Sequence, residues 1–135
     1  LPTVVSFDWT PDDRAGNDKL FTVFEVADAS ANRWTLYRGG DSQLEFYASS
    51  TASGGKNIGN WQGLTLTSGV SVRVVFYIGA TPATSLLFID GDLKTNVGAD
   101  TLASPPDALD AVSVGARGAG TEQTNGMIEN FKIRR

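Results

Sequence analysis

The chain contains neither cysteine nor histidine. Without cysteine there are no disulfides and no thiolate metal ligands, so packing alone must hold the fold. With histidine also absent, every Ser-His and Cys-His nucleophile pair is excluded. No run approaches the roughly 18 apolar residues of a membrane helix. The N-terminal LPTVVSFDW has neither the basic start nor the length of a secretory signal. Membrane insertion is therefore not expected. Positive charge is scarce: Lys+Arg 11 stand against Asp+Glu 15, for a net charge of −4, and only Arg134 and Arg135 are adjacent. A phosphate backbone requires a clustered basic face, so nucleic acid is not an expected partner. No asparagine opens an Asn-x-Ser/Thr sequon. A sustained helical period is missing as well.

What is present is a set of short apolar runs of period near two, separated by Gly, Pro, Asn, Asp and Ser. They are TVVSFDW (3–9), KLFTVFEV (19–26), RWTLYR (33–38), QLEFYA (43–48), VSVRVVFYI (70–78), SLLFID (85–90), DLKTNV (92–97), AVSVGA (111–116) and MIENFKIR (127–134). This is the pattern of an all-β chain, and 135 residues suit a single two-sheet antiparallel β-sandwich domain over 1–135. Because the chain starts at Leu1, it reads as a processed product or a segment of a longer polypeptide.

Alternation assigns faces. Leu44 and Phe46 point to the core, with Glu45 and Tyr47 opposite; Val70, Val72, Val74, Phe76 and Ile78 share a face against Ser71, Arg73 and Tyr77. Val75 breaks the polar side of that strand and KLFTVFEV is apolar on both faces, which implies either strands central in their sheets, the favoured reading, or a ligand-facing surface. Ile128, Phe131 and Ile133 are spaced three then two, which one strand face accommodates only with a bulge at Glu129-Asn130. Gly39-Gly40 and Asp90-Gly91 read as tight hairpins. Residues 49–69 and 97–110 read as long irregular loops.

The order of these pieces, with LLFIDGDL and NGMIENFKIR as its most specific parts, resembles the laminin-G-like branch of the concanavalin A-like lectin and glucanase superfamily. The resemblance covers most of the chain. It implies a jelly-roll sandwich, usually non-catalytic, used for glycan or protein recognition and sometimes holding calcium. The chain departs from the pattern in having Glu129-Asn130 where an acidic pair is common, and in lacking a strand before TVVSFDW.

Glycosidases flank the scissile bond with two carboxylates roughly 5–10 Å apart. The chain has four glutamates, Glu25, Glu45, Glu122 and Glu129, and none lies in a Glu-x-Asp-x-x-Glu spacing. Glu25 and Asp28, three apart, fall on opposite faces of a strand, and no enzyme is read here. Asp12, Asp13, Asn17 and Asp18 gather enough oxygens to hold calcium, although Asp and Asn also populate any turn for conformational reasons. No other cofactor is implied.

Two aromatic sets could meet a ligand. Tyr37, Tyr47 and Tyr77 lie opposite the core set of their strands and could form a stripe for sugar rings, with Arg33, Arg38, Arg73 and Glu45 supplying hydrogen bonds to hydroxyls. Strands also favour half-exposed tyrosine for packing reasons alone. Trp61, between Gly59 and Gly63, either caps the core or stands out as a platform beside Asn57, Asn60 and Gln62. Trp9, Trp34, Phe24, Phe46, Phe76 and Phe88 read as core. Two functions follow. The first is a carbohydrate-binding, lectin-like module that takes a glycan or polysaccharide. The second is a structural or adhesive module that packs on protein partners or on itself, such as a virion decoration or fibre protein or a bacterial surface protein. The missing N-terminal strand speaks for the second, since an unpaired edge invites pairing. Either function implies an extracellular, cell-surface or virion-surface location.

Overall fold

The computed structural model describes residues 3–11, 21–27, 33–40, 43–50, 54–101, 111–114 and 126–134. Every element among them is a strand: β1 (Thr3–Pro11), β2 (Phe21–Ala27), β3 (Arg33–Gly40), β4 (Gln43–Ser50), β5 (Gly54–Trp61), β6 (Val72–Ile78), β7 (Leu86–Ile89), β8 (Asp92–Lys94), β9 (Ala111–Val114) and β10 (Gly126–Arg134). They form two antiparallel five-stranded sheets. Sheet A runs β10-β1-β6-β7-β8, and sheet B runs β5-β4-β3-β2-β9.

Period-two alternation builds the core. β1 and β6 each alternate between buried and half-buried residues along their whole length. Val5, Phe7 and Trp9 on β1 and Val72, Val74, Phe76 and Ile78 on β6 point inward, as do Leu36 on β3 and Leu44 and Phe46 on β4. The sheets meet through aromatics. Phe46 lies edge-on to Phe76 at 4.7 Å between ring centroids, and Trp61 to the same ring at 5.5 Å. Each such side chain contributes about 1.5–3 kcal/mol on burial.

Local sequence sets the punctuation. Asp90 (φ 52°) and Gly91 (φ 88°) both have positive φ, the conformation of a two-residue hairpin matched to strand twist, and Ile89 pairs with Asp92 across it. On β10, Lys132 pairs with Ser6 and Glu129 with Asp8, so Asn130 and Phe131 together face Phe7. The expected bulge is therefore present. Asn130 takes it up with φ 52°, a conformation Asn tolerates better than most residues, and Phe131 stacks on Phe7 at 5.9 Å.

Four expectations are corrected. Residues 54–61, read as loop, form strand β5, which pairs with β4 along its length. Val70 precedes β6 and is exposed rather than core. Phe88 is half-buried, because Leu87 and Ile89 take the inward positions of β7. β1 is no edge: it pairs with β10 on one side and β6 on the other. β6 is central in sheet A, and β2 is flanked by β3 and β9, as their two-sided apolar character requires.

Candidate functional site

The hairpin β3–β4 and the adjoining β5 present one continuous outward face. Register sets Tyr37 opposite Glu45 and Thr35 opposite Tyr47. It then sets Glu45 opposite Asn60 and Tyr47 opposite Asn57. Alternation puts all of these on the side away from Leu36, Leu44 and Phe46. The rings of Tyr37 and Tyr47 lie 6.4 Å apart at 59°. Tyr37 is only 9% exposed and backs the face, while Tyr47 is half-buried.

A polar network runs beside the tyrosines. Gln43 Nε2 donates to Glu45 Oε1 at 2.6 Å and to Asn60 Oδ1 at 3.2 Å. Asn57 Nδ2 donates to Glu45 Oε2 at 3.3 Å. The backbone N–H of Asn57 donates to Asp100 Oδ2 at 2.8 Å. Asn57 Oδ1 is shielded from solvent and has no partner among the described residues. Such an atom is costly unless a donor reaches it.

β5 is an edge strand, and the segment following β8 closes that edge. Val97 N–H donates to the Asn60 carbonyl at 2.8 Å and Asp100 N–H to the Asn57 carbonyl at 3.1 Å. Between them Asn96 Oδ1 accepts from the backbone N–H of Asn60 at 2.9 Å. Asn57 and Asn60 are thereby held on both sides.

Gly55 gives Tyr47 its place. A β-carbon at residue 55 would fall on the Tyr47 hydroxyl and ring, so the ring lies across the glycine backbone.

The sequence-derived set is divided by the tertiary structure. Tyr37, Tyr47, Asn57, Asn60 and Glu45 share the outer face of sheet B. Trp61 does not join them. It is 0% exposed, in the core against Phe76, because it pairs with the inward Leu44. The platform expectation for Trp61 is overturned in favour of the cap. Tyr77 and Arg73 lie on the outer face of sheet A, since β6 joins that sheet. Tyr77 packs on Phe88 at 5.9 Å, and Arg73 is paired with Asp8 at 2.9 Å. Gln62 follows β5 and is exposed, lining a groove with Val70, Asp92 and Leu93. Arg38 is buried with its guanidinium 5.8 Å from the Trp9 ring centroid. Asp12, Asp13, Asn17 and Asp18 lie outside the described residues, as do Asp28 and Glu122. Among the described residues no three acidic side chains converge on a metal position.

Gln43, Gly55, Asn96 and Asp100 escaped the sequence reading. The one usable signal was the three-residue spacing of Ile58 and Trp61, the same bulge signature seen at Ile128 and Phe131. Here Phe46 pairs with Gly59 and Tyr47 with Asn57, which leaves Ile58 as the extra residue.

With this geometry in place, the likeness to solved structures can be read. The R. gnavus IT-sialidase CBM40 from Ruminococcus gnavus, solved with α2,3-sialyllactose, superposes with a TM-score of 0.67 at 13% identity, over 98% of this chain and 74% of that one. Domains LG4-5 of the mouse laminin α1 chain give 0.62 at 15%, over 98% and 35%. The heptameric SAP-like pentraxin of Limulus polyphemus gives 0.58 at 12%, over 98% and 63%. The fold is the concanavalin A-like jelly roll. The chain thus spans about a third of the laminin structure's length and three-quarters of the CBM40 structure's. No protein-family model matches the sequence, and no curated protein matches it either.

Proposed function

We propose that the chain is a non-catalytic carbohydrate-recognition module that binds a glycan on the outer face of sheet B. The observation that carries this reading is the convergence of Tyr47, backed by Tyr37, with the Gln43–Glu45–Asn57–Asn60 network on one braced face. An aromatic surface meets the apolar face of a sugar ring while amides and a carboxylate meet its hydroxyls. The CBM40 structures solved with α2,3- and α2,6-sialyllactose support a glycan as the kind of partner this jelly roll can take. Such a module acts outside the cell, at a cell or virion surface. The deciding experiment is a glycan-array and polysaccharide-retardation screen of the native protein against Tyr47→Ala and Asn57→Ala, run with calcium and with EDTA. Binding lost in both variants at an unchanged Tm supports the site. Binding that survives both removes it. The EDTA arm reports whether binding needs calcium, for which Asp12, Asp13, Asn17 and Asp18 are the candidate ligands.

A second reading, a structural or adhesive module, is favoured by the outer face of sheet A. There Tyr77 lies between Val4 and Leu86, and Phe88 between Val75 and Leu93, giving contiguous apolar side chains on an outward face. Leu93 is 58% exposed. A patch of this kind marks a protein contact, with a second copy or a scaffold as its occupant.

A further inference from the structure

Most donors on the outer face of sheet B are already spent. Both Nε2 hydrogens of Gln43 are committed, to Glu45 and Asn60. One Nδ2 hydrogen of Asn57 goes to Glu45, and its backbone N–H goes to Asp100. The backbone N–H of Asn60 goes to Asn96. What remains is a mixed set, in which the second Asn57 Nδ2 hydrogen and the Asn60 Nδ2 group stand beside the carboxylate of Glu45. The Glu45 carboxylate offers about four lone-pair sites, of which the network fills two. Asn57 Oδ1 also lacks a partner among the described residues, but it is shielded from solvent and so is not an open acceptor.

The charge on this face has one sign at its centre. Glu45 lies in the middle of the network, and the Asp100 carboxylate lies at its border, on the Asn57 backbone. Lys56 pairs with the inward Ala48, so its register position is on the other side of β5. Arg33 pairs with Ser49 at the far end of the face and is not without a partner of its own. Among the described residues, the bidentate guanidinium that a sugar carboxylate calls for is therefore not at Glu45.

We infer that this face selects a neutral glycan, with Glu45 as the residue that determines the choice. Sugar hydroxyls donate to the open lone pairs of the Glu45 carboxylate. A sialic acid or uronic acid carboxylate brings a like charge against Glu45 and Asp100 and finds no spare cation among the described residues to replace its water. The inference rests on the glycan reading above and adds the ligand's class to it.

The test compares titrations of native protein with neutral oligosaccharides, such as β-glucan, mannan and lactose series, against sialyllactose and oligogalacturonate at fixed ionic strength. The expected result is that neutral probes bind about tenfold or more tighter than acidic ones. Glu45→Gln should narrow that gap, by weakening neutral binding and relieving the exclusion of acidic probes, and rising salt should narrow it in the native protein. The native comparison and its salt series stand even where Glu45→Gln lowers stability. Acidic probes binding as tightly as neutral ones would overturn the inference and leave the glycan reading intact. Failure of every probe, neutral and acidic, would overturn both.

Discussion

The side chain of Asn96 does for Asn60 what a neighbouring strand would do: its Oδ1 accepts the backbone N–H of Asn60 at 2.9 Å, on the edge of β5. The same oxygen accepts from Gly98 N–H at 2.8 Å. Its Nδ2 is shared among the carbonyls of Ile58, Pro82 and Ser85 at 3.0–3.3 Å. One amide thus joins the edge of sheet B to the β6–β7 turn of sheet A. Asn96→Ala leaves several of these groups unpaired and should cost about 2–3 kcal/mol. Asn96→Asp should cost nearly as much, since it replaces the donor that serves three carbonyls. Chemical denaturation reads both, and a change below about 0.5 kcal/mol for either would show that the bridge is not a structural tie.

Trp61 is the second case. Its ring fills the core against Phe76 and over Gly59, and its Nε1 makes no hydrogen bond among the described residues. Trp61→Ala should cost about 3–5 kcal/mol. Trp61→Phe should cost less, because no hydrogen bond is lost with the indole, and glycan binding should persist in it. Abolished binding in a folded Trp61→Phe protein would return Trp61 to the site.

At Gly55 stability and binding should separate. A methyl group there would overlap the hydroxyl end of the Tyr47 ring, and the far end of a side chain can shift where backbone cannot. Gly55→Ala should therefore leave Tm within a few degrees and weaken glycan binding as Tyr47→Ala does. Equal binding by the native protein and Gly55→Ala would show that the ring's seat is unimportant.

Asp8 predicts a pH effect. The Asn130 side-chain amide, at 2.6 Å, and then the Arg73 guanidinium, at 2.9 Å, hold the Asp8 carboxyl below its ordinary value of 3.8. Folding therefore favours the charged form. The stability this supplies is fully present above the ordinary value and is lost as pH falls through the lower value of the folded protein. Asp8→Asn should lower Tm at neutral pH, and its gap from the native protein should close in acid. A gap that stays constant down to about pH 2 would contradict the linkage.

Sheet A's outer face is open to a direct check. Analytical ultracentrifugation of the native protein and Leu93→Lys should show a concentration-dependent dimer in the first and monomer in the second if that face joins copies of the chain. Leu93 is exposed, so the substitution should leave Tm unchanged. A native monomer at all concentrations would leave only a scaffold as the occupant.

Several features were legible in the sequence because their causes are local. Asp90-Gly91 can adopt two successive positive φ angles, so the β7–β8 hairpin is written in two residues. Ile128, Phe131 and Ile133 reveal a bulge because the side-chain period of a strand is two and the core enforces it. The alternation in β1, β4 and β6 identifies most of the core. β5 escaped notice because its glycines and polar residues hide the same spacing at Ile58 and Trp61. That strand exists through pairing with β4 and closure by the Asn96 segment, neither of which is local.

The sequence by itself determined that the chain is an antiparallel sandwich without thiol or imidazole chemistry, and that Tyr37, Tyr47 and Tyr77 lie opposite the core residues of their strands. Only the tertiary structure decided which of those outward faces coincide. Tyr37 and Tyr47 meet because β3 and β4 are hairpin neighbours, whereas Tyr77 is carried to the other sheet by β6 pairing with β1 and β7. Alternation reports on which side of its own strand a residue stands. Which sheet that strand enters depends on pairings between segments distant in the chain, and these are settled by burying Phe7, Phe46, Trp61 and Phe76 in one core.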